Sequence, residues 1–86
     1  MKPKFEGGNM SLWKLKKNQK AQITGFSKDL DIKFKKRLMD MGIYENGHIS
    51  CFLSTPFSGP RLYSVEGTML SLTSEIARNI QVKPLS

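Results

Sequence analysis

One cysteine, one histidine and seven carboxylates are all that this 86-residue chain offers to most kinds of chemistry. The lone Cys51 excludes an internal disulfide framework and fits a reducing compartment. His48 and Cys51 have ligand-like spacing, but three residues apart on a strand they face opposite sides and cannot grip one ion together. Cys51 reads instead as a small core residue and His48 as a solvated one. No serine stands in a nucleophile-elbow context, and the glycines stand singly at turns rather than in a phosphate-cradling motif. Asp29 and Asp31 fall near a helix start, where a carboxylate complements the dipole. No apolar run approaches the ~18 residues that a membrane span requires. The opening MKPKFEGGN carries charge without an apolar stretch behind it, unlike a secretory signal. The residues thus offer no catalytic, metal or cofactor site, and a cytoplasmic module is the expectation.

What the chain has in excess is positive charge. The net charge is +7, and it is unevenly placed: residues 1–37 hold eleven Lys/Arg against Glu6, Asp29 and Asp31. Such asymmetry suits nucleic acid, an anionic membrane face or an acidic protein partner, and it also serves plain solubility. The length corresponds to one small domain near the lower limit for a self-sufficient core. Residues 1–9 read as a flexible arm, since Pro3, Gly7, Gly8 and Asn9 interrupt any periodicity. Residues 10–86 form the single domain.

Within that domain the patterns are mostly those of strands. Leu12, Trp13 and Leu15 supply apolar anchors before a turn at Lys16–Asn18, where Asn tolerates a left-handed backbone. Gln19–Phe26 alternates with Ala21 and Ile23 on one face. His48–Thr55 alternates likewise, with Ile49, Cys51 and Leu53 inward. PFSGP (Pro56–Pro60) is a turn with Phe57 at its tip. Tyr63 and Val65 share a face, Gly67-Thr68 turns, and Leu70 and Leu72 continue the core side. Ile80 and Val82 mark a last strand. Between the first two strands lies a helix over about 28–41, capped by Ser27 or Asp29. Its Leu30, Phe34, Leu38 and Met41 fall within a stripe of about 80° that should face the core. Gly42 suits the left-handed position that closes a helix. A short helical turn covers about 74–79. Five or so strands with one inserted helix predict a mainly β fold, a small barrel.

The opposite face of that helix is the candidate site. Ile32 and Met39 lie away from the core stripe, flanked by Lys35 and Lys36, with Arg37 placed to steer an acidic partner. An apolar pair framed by cations suits a docking surface. A covering loop, such as the Phe57 turn, would account for the pair equally well, and Phe57 is the next candidate for partner binding.

Taken in order, these pieces resemble one family. Leu12-x-x-Leu15, the turn before Ala21–Ile23, and Arg37-Leu38-x-x-Met41-Gly42-Ile43 with Gly47 four further on are similar to the FeoA family, ferrous iron transport protein A. The strand into Pro56, Val65-x-Gly67, Leu70-x-Leu72, Glu75-x-Ala77 and Ile80-x-Val82 agree with it too. The resemblance covers about residues 10–83. Asn18 departs from the family's usual Gly but is able to take the same turn.

The resemblance implies an SH3-like β-barrel with an inserted helix. It also implies a small cytoplasmic accessory of bacterial ferrous iron uptake that regulates FeoB, a membrane permease with a cytoplasmic G domain. Such a protein would reach the inner face of the membrane through its partner, without catalysis or an iron of its own. Weak self-association is left open. A related barrel forms the C-terminal domain of DtxR-like metal-dependent repressors, but this chain has no winged-helix portion. The competing reading is a basic small-barrel nucleic-acid-binding protein. Against it, Trp13, Phe26, Phe52 and Phe57 do not share one strand face and no base-reading motif appears. No specific nucleic acid is therefore expected.

Overall fold

Six antiparallel strands and two helices are built from these patterns, in a computed structural model that describes residues 9–53 and 59–85. The first eight residues of the arm and the Phe57 turn lie outside the described residues. The elements are β1 (Met10–Ser11), a 3₁₀ turn (Leu12–Lys14), β2 (Lys20–Phe26), α1 (Ile32–Asp40), β3 (His48–Leu53), β4 (Arg61–Val65), β5 (Thr68–Leu72), α2 (Ser74–Ala77) and β6 (Ile80–Leu85). The extra strand beyond the five expected is β1, a two-residue edge paired with Val82 and Gln81 of β6.

The strands form one sheet in the order β1-β6-β2-β3-β4-β5. The two-residue period holds along β2 through Ala21 and Ile23, up to a register shift with β6 between Ile23 and Gly25, and along β6, where Ile80 and Val82 point inward. The sheet curls far enough that Arg61 of β4 lies over Trp13, just beyond edge strand β1. Its inner face and the two helices enclose one core, with Leu12, Ile23, Ile49, Tyr63, Val65 and Val82 fully buried. Burying each large apolar side chain contributes about 1.5–3 kcal/mol. No polar or charged residue is buried among those described.

Turn chemistry fixes the register. The β4–β5 hairpin has a two-residue loop in which Glu66 (φ 49°) and Gly67 (φ 81°) are both left-handed, with Val65 opposite Thr68. That geometry follows the twist of the flanking strands. Asn18 takes φ 67° in the turn into β2, as its residue type allows. There the Asn18 N–H donates to the Cys51 carbonyl at 2.7 Å, locking this turn to β3.

Three expectations are corrected. Helix α1 begins at Ile32, not about residue 28, because the Asp31 side chain takes the Lys33 N–H at 2.8 Å and so caps it. Ser27 closes a separate turn instead, accepting from the Asp29 N–H at 3.2 Å. Leu53 is exposed, not core, because the β3–β4 register shifts between Cys51 and Leu53. The extra residue at Phe52 breaks the alternation and turns both side chains outward. Lastly, the stripe Leu30/Phe34/Leu38/Met41 does not face the core as a unit. Leu38 is buried and Leu30 packs partly, but Phe34 and Met41 are 46% and 42% exposed. A nine-residue helix set on the sheet by one side chain presents its flanks to solvent. Met41 is no longer helical but is the C-cap.

Candidate docking helix

Helix α1 is short and held at both ends. At the end of α1, Gly42 has φ 100° and its N–H meets the Met39 carbonyl at 3.1 Å. The Ile43 N–H reaches back to the Leu38 carbonyl at 2.9 Å. This is the Schellman closure, and Leu38 and Ile43, the pair that it brings together, are both buried. A Cβ on Gly42 would sit 3.2 Å from Val65 Cγ1, so the corner also packs on β4. Tyr44, just past the corner, donates its hydroxyl hydrogen to Glu66 at the β4–β5 hairpin. That contact and the neighbouring negative charge push the Tyr44 phenol above its ordinary range.

Between those ends the helix exposes two apolar flanks. Ile32 is 69% exposed and Met39 is also exposed; with Lys36 between them they form a strip at i, i+4 and i+7. Arg37 is exposed on the adjoining surface. Lys35 behaves differently from the other cations. It is half-buried, with its ammonium 5.5 Å from the centre of the Phe26 ring on β2, so its stem packs on the domain. The structure therefore places Ile32, Lys36 and Met39 together and turns Lys35 partly away. Phe57, the remaining candidate, lies outside the described residues.

The second flank was missed from sequence because Phe34 fitted the core stripe. Phe34 lines a groove of about 290 Å³ between α1 and α2, with Leu30 and Ile76 as further apolar walls. Asp29, Asp31 and Glu75 stand around it. The two acidic residues ahead of the helix were the available signal, but a cap and a groove rim use the same residue type.

The two remaining candidates, Cys51 and His48, lie on opposite sides of β3. Cys51 is buried, which pushes its thiol up in spite of the opposing charge of Arg61, and His48 is exposed. Among the described residues no three His, Cys, Asp or Glu side chains gather where a metal ion could be held. Among them, too, no helix is long and apolar enough to cross a membrane.

A small curled antiparallel sheet with a helix inserted between its second and third strands defines an SH3-like module. The FeoA domain family matches residues 10–84, and the chain belongs to that family of ferrous iron transport accessory proteins. No curated protein matches the sequence. The chain is similar to the solved FeoA-like protein from Clostridium acetobutylicum, at 25% identity over 93% of this chain and 91% of that one, with a TM-score of 0.80. It has the fold of Stenotrophomonas maltophilia FeoA, a procaryotic SH3 domain protein solved with zinc, at 20% identity, 86% and 89% coverage and a TM-score of 0.75. A manganese-dependent transcriptional repressor shares the fold at a TM-score of 0.83 and 19% identity; the match covers 94% of this chain but spans only 39% of the repressor.

Proposed function

We propose that this protein is a cytoplasmic accessory of ferrous iron uptake that regulates the FeoB permease by binding its cytoplasmic G domain through α1. The observation that carries this reading is the solvated strip of Ile32, Lys36 and Met39 on a helix whose fold contribution comes from Leu38 on another side. An unpartnered apolar pair framed by cations suits an acidic protein surface with an apolar centre. Arg37 adds charge beside the strip, and Lys35, tied to Phe26, serves mainly to seat the helix. Phe57 stays in this proposal as a second contact. Membership in the FeoA family supports the choice of partner.

The test is retention of the isolated G domain on the immobilised full chain, with and without guanine nucleotide. Wild type should retain it in at least one nucleotide state, and an Ile32→Thr, Met39→Gln variant should not. Equal retention by the variant would move the interface off α1, and no retention by wild type in any state would sink the reading.

A further inference from the structure

We propose that the end of the sheet opposite α1 is a surface for anionic phospholipid bilayers, formed by Lys16, Lys17, Lys20, Phe52, Leu53 and Leu85. The sheet register brings these residues together from three parts of the chain. Lys20 stands opposite Leu85 on β6 and opposite Ser50 on β3, so the start of β2 meets the ends of both neighbours. The β1–β2 turn is fastened to the end of β3 by the Lys17–Cys51 bridge and by the Asn18 N–H to Cys51 carbonyl bond of 2.7 Å. Lys16, Lys17, Lys20 and Leu85 consequently line one shallow, open depression.

Two features set this end apart. The first is its apolar part. The bulge at Phe52 turns Phe52 and Leu53 outward together, and Leu85 is exposed as well. Three solvated large apolar side chains beside three solvated lysines carry a cost in water that insertion into a headgroup layer removes. The second is a balance of charge in favour of cations: among the described residues three lysines gather here, and Glu66 shares a depression with Lys20 alone of them. Asp29, Asp31 and Glu75 stand around the α1–α2 groove. Asp40 ends α1, Glu45 approaches the Gly25 position, and Glu66 sits at the β4–β5 hairpin beside Tyr44. Helix α1 also combines cations with apolar groups, but Asp31 and Asp40 bracket it, and an anionic sheet of lipid would meet those carboxylates too.

Each cation near an anionic bilayer strengthens association about fivefold, and the attraction fades within a Debye length as salt rises. This surface is separate from α1, so the bilayer and a protein partner could be held together.

The experiment is co-sedimentation of the full chain with phosphatidylcholine vesicles, with and without one-third phosphatidylglycerol. Wild type should bind the anionic vesicles and not the neutral ones. A Lys16→Glu, Lys17→Glu, Lys20→Glu variant should bind at least about tenfold more weakly. A Lys33→Glu, Lys36→Glu, Arg37→Glu variant, with the same change of net charge on α1, should lose less than about threefold. A Phe52→Ser, Leu53→Ser, Leu85→Ser variant should also bind more weakly, and thermal melts should show all three variants folded. Equal loss in both charge variants would reduce the effect to net charge and overturn the proposal. Unchanged binding by the serine variant would remove the inserted contact. Release of wild type from vesicles by a lower concentration of single-stranded oligonucleotide than of free phosphatidylglycerol would mark the surface as a nucleic-acid site instead.

Discussion

The guanidinium of Arg61 lies 3.8 Å from the centre of the Trp13 ring and donates to the Trp13 carbonyl. This one side chain fastens β4, near one margin of the sheet, to the 3₁₀ turn beyond the other. Replacing it removes a partly buried cation–π contact and a charge-assisted hydrogen bond together. Arg61→Ala should cost about 1–3 kcal/mol, and Arg61→Lys should recover only part because a lysine has no planar fork. Urea unfolding followed by Trp13 fluorescence measures both, and an unchanged midpoint in Arg61→Ala would show that the sheet stays curled without the clasp.

Gly42 and Gly67 allow a controlled comparison. Both have positive φ, but a Cβ at Gly42 would press on Val65 while at Gly67 nothing lies within 4 Å. Gly67→Ala should cost about 1 kcal/mol, the left-handed penalty alone. Gly42→Val should cost more, since β-branching and the 3.2 Å approach to Val65 add to it. Equal losses in denaturant melts would mean that β4 yields freely at the corner.

Tyr63 gives the fold an alkaline limit. Burial pushes its phenol up to about 12, against an ordinary 10.0, while the charge of Arg61 pulls in the other direction. Arg61 approaches the phenol closely enough to favour its ionised form, but among the described residues no group reaches the hydroxyl in good hydrogen-bond geometry. The folded state holds this proton more tightly than the unfolded chain. Stability should therefore be flat in this group below pH 10 and should fall as pH rises from about 10 toward 12. Tyr63→Phe should lose that decline and cost little at neutral pH, because no hydrogen bond of good geometry is lost with the hydroxyl. A variant that keeps the full alkaline slope would assign the slope to another group.

The two sides of α1 should separate fold from function. Leu38→Ala should cost about 2–5 kcal/mol, as for a buried leucine. Ile32→Thr, Met39→Gln should melt like wild type yet fail to support ferrous uptake in a growth assay under iron limitation. Phe34→Ser should also leave the melt nearly unchanged, a consequence of its exposure in the α1–α2 groove. A double variant that melts like Leu38→Ala would make the outer strip part of the core.

Strands were legible wherever the two-residue period ran unbroken, as in Ala21–Ile23, Tyr63–Val65 and Ile80–Val82. They were misread where a bulge intervened, since no local pattern says that Phe52 is an inserted residue and that Leu53 must turn outward. The glycine corner at Gly42 was legible because few residues accept that backbone. The length of α1 was not, because Ser27, Asp29 and Asp31 are all good caps and only the fold selects Asp31. Periodicity placed Phe34 and Met41 beside Leu38, but it says nothing of how much sheet lies beneath a helix. Here there is room for one side chain. The outward direction of Ile32 and Met39 was legible for the same reason that their partner is not: a stripe shows what a face lacks, not what fills it.

The shallow seating of α1 has a kinetic consequence. With Leu38 as its only buried side chain, the helix gives up little apolar area when it lifts from the sheet, whereas β2 and β6 are paired on both sides. Regions with few buried contacts open at a fraction of the global unfolding free energy. Backbone amides of Lys35–Asp40 should then exchange with deuterium well before those of Ile23 and Val82, through openings that leave the sheet intact. The helix that presents the docking strip would be the first element of the domain to come loose, and a partner that held it down would be seen as slower exchange along its length.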